Sequence, residues 1–70
     1  MILMTKEEAL QAMMDGEKIT HRFFEIHEYL YMKGQDIFTE EGYNMGNVWD
    51  EFWTMRNEKY WKTGWEIYKN

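Results

Sequence analysis

Few residues in this 70-residue chain have chemical reach. It contains no serine and no cysteine, which removes the usual nucleophiles, and it has no glycine-rich loop of phosphate-binding form. Its two histidines, His21 and His27, stand six apart with Glu25 between them, a spacing that on a continuous strand would imitate a metal site. A break at residues 26–28 spoils that geometry, so no metal is expected. Glu40 with Glu41, and Asp50 with Glu51, are adjacent acids with nothing to drive their pKa values apart as acid–base work requires. They read as solvated charges. Arg22 and Arg56 are the only arginines and therefore the only planar guanidinium forks. The residue types point to binding without catalysis and without a cofactor.

The elements that must position these groups begin with residues 18–25 and 29–33. Both stretches are rich in β-branched and aromatic residues and are bounded by Gly16 and Gly34, which predicts two adjacent antiparallel strands. In the second, Leu30 and Met32 face one way while Tyr29, Tyr31 and Lys33 face the other, because side chains alternate across a strand. Thr5 and Glu8 form a capping box, and Ala9, Leu10, Met13 and Met14 make an apolar helical stripe ended by Gly16. That helix should cover Leu30 and Met32. A turn at Gly34 and Gln35 leads into a second, shorter hairpin, residues 36–39 and 43–45, with Gly42 in its loop. Residues 47–60 allow two readings. One is a helix capped by Asn47 with Val48, Trp49, Phe52 and Trp53 on one face; the other is a strand over 51–55 followed by a short helix from Asn57. Thr63 and Gly64 then turn the chain into a last strand over 65–69.

Composition limits the rest. Residues 1–70 read as one small α+β domain, an N-terminal helix on a mostly antiparallel sheet, with no repeat or linker. A chain this short, without cysteine, lacks the disulfide support that small domains often use, which leaves association between copies. Aromatic residues make up 19% of it, more than so small a core is expected to hide, so rings should line subunit interfaces or a ligand pocket. The net charge of −5 argues against a nucleic-acid polymer as partner. No apolar run has the length of a membrane span, and the opening Met-Ile-Leu-Met lacks a signal peptide's basic flank, so no membrane association and a cytosolic location are expected.

The run Thr5-x-Glu7-Glu8-Ala9-Leu10-x-x-Met13-x-x-Gly16-x-Lys18-Ile19, the aromatic Phe24, the strand from Tyr29 to Met32 and the closing Trp65-x-Ile67 resemble the small phage proteins of the Thoeris anti-defence domain. The chain is shorter than typical members, and His21-x-x-Phe24 stands where they carry Arg-x-x-Trp. The resemblance extends to the similar anti-CBASS sponge proteins. It implies a phage protein acting in the host bacterial cytoplasm, a homo-oligomer, commonly a tetramer, that sequesters a nucleotide second messenger of bacterial immunity. Cyclic dinucleotides and cyclic ADP-ribose isomers both fit. It also favours the strand reading of residues 51–55. Such a ligand needs rings to stack on and donors for its phosphates, for which Phe24, Tyr29, Tyr31, Tyr43, Trp49 and Trp53 are the candidate rings and Arg22 and Arg56 the candidate forks. Each has a plainer alternative: rings in a sheet pack cores or interfaces, and both arginines have acids nearby in sequence for surface ion pairs. The other function consistent with an acidic, aromatic surface is a protein–protein inhibitor of a defence effector, as one anti-CRISPR branch of the family is.

Overall fold

The computed structural model describes residues 3–46 and 49–69. Helix α1 (Lys6–Met14) is followed by strands β1 (Ile19–His21), β2 (Leu30–Lys33) and β3 (Asp36–Thr39), helix α2 (Trp49–Thr54), a 3-10 turn (Lys59–Trp61) and strand β4 (Trp65–Ile67). The four strands form one antiparallel open sheet in the order β3-β2-β1-β4. This is the expected α+β architecture, with the N-terminal helix packed on the sheet.

Local chemistry explains α1. The Thr5 hydroxyl accepts from the Glu8 amide at 3.1 Å and the Glu8 carboxylate accepts from the Thr5 amide at 2.9 Å, so two otherwise unpartnered donors are satisfied reciprocally. Ala9 and Met13 are buried, Leu10 packs beside them, and Gly16 follows with φ 99°, a conformation that other residues adopt at a cost. Met14 departs from the expected stripe. It is 65% exposed, because α1 ends there and turns its last side chain away from the sheet.

Register settles the two sheet faces. Ile19 pairs with both Leu30 and Ile67, His21 with Trp65, and Met32 with Ile37, so these residues share the face that α1 covers. With Ala9, Met13, Met45 and Phe52, the buried members of that face form the core. The opposite face carries Tyr29, Tyr31, Phe38 and Tyr68, tiled ring against ring at centroid separations of 4.5–6.0 Å. Of thirteen aromatic side chains, Phe23, Tyr43 and Tyr60 are the exposed ones. Phe52 and Trp65 are buried, and the other eight rings are half-buried.

Several expected boundaries move. The first strand stops at His21 rather than running to residue 25, because the His21 ring takes the Phe23 amide and the His21 carbonyl takes the Phe24 amide, which closes a turn in place of a ladder. The hairpin turn at Gly34 and Gln35 forms, but the return segment meets β3 through an isolated bridge at Phe38 and Asn44, the Thr39 amide bond to the Tyr43 carbonyl and the Met45 amide bond to Ile37, without forming a strand. Residues 51–55, which the resemblance favours as a strand, are mostly helix: α2 is the correct reading, and the short helix after Asn57 is the 3-10 turn. Placing Trp49, Phe52 and Trp53 three and four residues apart stacks them together, with centroids 4.9–5.4 Å apart, and brings Trp53 onto Trp65. The proposed cap Asn47 and face residue Val48 lie outside the described residues. The last strand ends at Ile67.

Gly64 joins the 3-10 turn region to β4. It is buried at φ 88°, and a Cβ there would lie 2.7 Å from the Arg22 Cδ and 3.0 Å from the His21 Nε2. Gly64→Ala is therefore expected to cost about 1–3 kcal/mol from backbone strain, with the contact against His21 adding to it. A thermal melt indistinguishable from wild type would disprove this account of the junction.

Candidate functional site

Trp65 is the hub around which the chemically interesting side chains collect. It is fully buried, its Nε1 donates to the Trp61 carbonyl at 2.8 Å, and its ring meets His21 at 4.7 Å, Trp53 at 5.5 Å and Phe24 at 5.6 Å. On one side of this hub a cleft of about 420 Å³ opens between the first turn of α1, the end of α2 and the 3-10 turn. Its lining is Lys6, Glu7, Trp53, Arg56, Asn57, Trp61 and Lys62. The α1 backbone is tied to the far wall by the Lys6 amide, which donates to the Lys62 carbonyl at 2.9 Å.

The charge of this concavity runs against that of the chain. Three cations and one carboxylate line it, in a protein of net charge −5. Lys6 places its Nζ 4.1 Å from the Trp53 ring centroid, while the Arg56 guanidinium lies 4.0 Å from the Phe52 centroid and 5.1 Å from that of Trp61. The ion pairs that Asp50, Glu51 or Glu58 would offer Arg56 do not form among the described residues. Its Nη1 donates instead, at 3.4 Å, to the Phe52 carbonyl. Among the described residues Arg56 Nε and Trp53 Nε1 are buried without a hydrogen-bond partner, a condition that ordinarily costs about 1–3 kcal/mol per group. Both belong to residues of the cleft wall. Rings, guanidinium and ammonium groups in one partly enclosed hollow suit a ligand with a flat π-system and an anionic group.

His21 fixes the other wall. Its Nε2 donates to the Tyr60 carbonyl at 2.9 Å and the Thr63 carbonyl at 2.7 Å, and its Nδ1 accepts from the Phe23 amide at 3.1 Å. Carbonyls only accept, so the ring is the neutral tautomer protonated at Nε2. It packs 4.3 Å from Trp61 and so anchors the 3-10 turn that carries Trp61 and Lys62. Burial lowers its pKa below the usual histidine value, and the charges of Arg22 and Arg56 act in the same direction. The unfolded chain then takes up this proton at a higher pH than the folded one, so stability is complete above about pH 6.5 and is lost as pH falls through the lowered folded value. NMR titration of the His21 ring should give a midpoint below that of a free histidine; one at or above it would contradict the assignment.

Of the eight residues singled out from sequence, the cleft contains Trp53 and Arg56. Trp49 stands beside Trp53 on α2. Phe24 packs between Trp61 and Trp65, and Arg22 is exposed with its guanidinium 5.5 Å from Phe23. Tyr29 and Tyr31 belong to the ring layer on the opposite sheet face, where Lys18 lies 4.8 Å over Tyr29. Tyr43 is 60% exposed at the β3 hairpin. One chain therefore does not bring the eight together. Lys6, Glu7, Asn57, Trp61 and Lys62 are the cleft residues that sequence reasoning missed, and the available signal was the basic and aromatic run Lys59-Tyr60-Trp61-Lys62 in an acidic chain. Among the described residues no group of three or more His, Asp or Glu side chains could hold a metal ion, and no helix is long and apolar enough to cross a membrane.

In comparison with known proteins, no family model matches the chain, nor does any curated protein or solved structure.

Proposed function

We propose that this protein binds and sequesters a nucleotide without altering it, with the cleft between α1, α2 and the 3-10 turn as the binding site. The observation that carries the reading is the reversal of local charge beside two indoles: Lys6, Arg56 and Lys62 face one carboxylate, Glu7, around Trp53 and Trp61. A base stacked on an indole contributes about 1–3 kcal/mol. Phosphates find donors in groups that distant acidic charge barely opposes, since screening at physiological salt acts over about 8 Å. In the form the resemblance implies, the ligand is a cyclic dinucleotide or a cyclic ADP-ribose isomer of bacterial immunity. The protein then serves a phage in the host bacterial cytoplasm as a homo-oligomeric, tetrameric sponge.

The test is a thermal-shift panel of cyclic dinucleotides, cyclic ADP-ribose isomers and linear nucleotides. A ligand at a hundred times its dissociation constant stabilises the folded state by about 2.7 kcal/mol, which moves the melting point of a domain this size by about 10–20 °C. Chemically intact ligand recovered on heating supports sequestration; a converted product points to an enzyme and ends the proposal. A second reading, inhibition of a protein effector, draws on the exposed pair Phe23 and Tyr60, 5.1 Å apart, and on Ile26, 83% exposed on the loop that follows β1. No shift with any nucleotide, together with tight binding to a defence protein, would select that reading. Sedimentation in the absence of ligand decides the oligomeric state.

A further inference from the structure

Lys6 occupies the ring surface that a stacked base would need. Its Nζ lies 4.1 Å from the Trp53 centroid, and its backbone is held in place by the Lys62 carbonyl. Trp53 is itself held by Trp49, Phe52 and Trp65, so the indole cannot readily swing to offer the base another surface. A base that stacks on this face of Trp53 must displace the ammonium group. Once displaced, that group sits in a hollow already lined by Arg56 and Lys62, with Glu7 as its one carboxylate. A neutral nucleoside offers nothing to offset this crowding of positive charge. Inorganic phosphate attracts the ammonium but leaves the bared indole without a partner. A nucleotide supplies both parts, since its phosphate takes up Lys6 while its base takes the vacated ring.

We infer that Lys6 makes base and phosphate recognition interdependent, so that the cleft selects ligands carrying a base and a phosphate together over nucleosides and over inorganic phosphate. This rests on the reading of the cleft as a nucleotide site. The experiment is calorimetric titration of the full chain with adenosine, adenosine monophosphate and inorganic phosphate, repeated on Lys6→Met, which keeps an unbranched apolar stem and removes the charge. In the wild type the monophosphate should bind about 10–100-fold more tightly than adenosine, a range typical of coupled sites. In Lys6→Met adenosine should gain affinity and the monophosphate lose it, so that the ratio collapses. Lys6→Arg should retain the wild-type ratio, and if Lys6→Met fails to fold, Lys6→Gln carries the same comparison. A ratio unchanged in the uncharged variant overturns the role of Lys6 while leaving the cleft as a nucleotide site. Failure of the monophosphate to bind the wild type overturns the role of Lys6, and the reading of the cleft as a nucleotide site falls with it when the thermal-shift panel of cyclic nucleotides is blank as well.

Discussion

Replacing Trp65 with alanine is expected to leave the protein largely unfolded at room temperature. Its side chain is fully buried, contacts His21, Phe24 and Trp53, and donates its Nε1 proton to the Trp61 carbonyl. Its backbone also closes β4 against the N-terminal segment, with the Met4 amide donating to the Trp65 carbonyl at 2.6 Å and the Trp65 amide to the Met4 carbonyl at 3.2 Å. Truncating a buried tryptophan costs about 3–5 kcal/mol. A single core in a domain of this length rarely supplies more than about 3–5 kcal/mol in total. Trp65→Phe should fall between, because it keeps most of the ring but deprives the Trp61 carbonyl of its donor. Urea titration followed by circular dichroism measures both. An alanine variant that melts within a few degrees of wild type would show that the core does not depend on this residue.

Arg56→Lys is expected to weaken nucleotide binding about 10–100-fold while the chain stays folded, the size of one lost hydrogen bond to a charged partner at about 1.5–3 kcal/mol. The guanidinium lies against Phe52 and Trp61, which orients a planar fork at the cleft wall. Lysine retains the charge but neither the fork nor the flat stacking surface. If charge alone governed affinity, the substitution would be nearly silent. Binding constants from calorimetry, read beside melting temperatures, separate lost recognition from lost stability. An unchanged constant for a nucleotide that shifts the wild type would remove Arg56 from the site.

Interactions between near neighbours in the chain were legible from the amino acids alone. The Thr5 and Glu8 capping box closes over three residues, and Gly34 and Gly42 take positive φ in the turns where a two-residue loop and a hairpin demand it. The alternation of Leu30 and Met32 against Tyr29 and Tyr31 follows from strand geometry itself and assigns each to its sheet face. The α+β class and the helix-covered antiparallel sheet rest on such local rules. Residues 49–54 were ambiguous because Trp49, Phe52 and Trp53 suit a helical face while β propensity is high throughout. Packing against Trp65 decides for the helix, since only that geometry puts all three rings together over the core.

The cleft belongs entirely to tertiary structure. Lys6 meets Lys62 and Trp53 across most of the chain's length, and no short-range pattern encodes which lysine of an acidic protein will lie over which indole. The early end of β1 had the same origin: His21 gives its two ring nitrogens to three backbone groups, two of them from residues 60 and 63, and this draws the strand into a turn. Residue types alone established that this chain has neither serine nor cysteine and only two arginines, and local periodicity outlined most of its elements. Where rings and cations converge was decided by long-range burial around Trp65, because the free energy of that burial depends on neighbours that only the folded chain supplies.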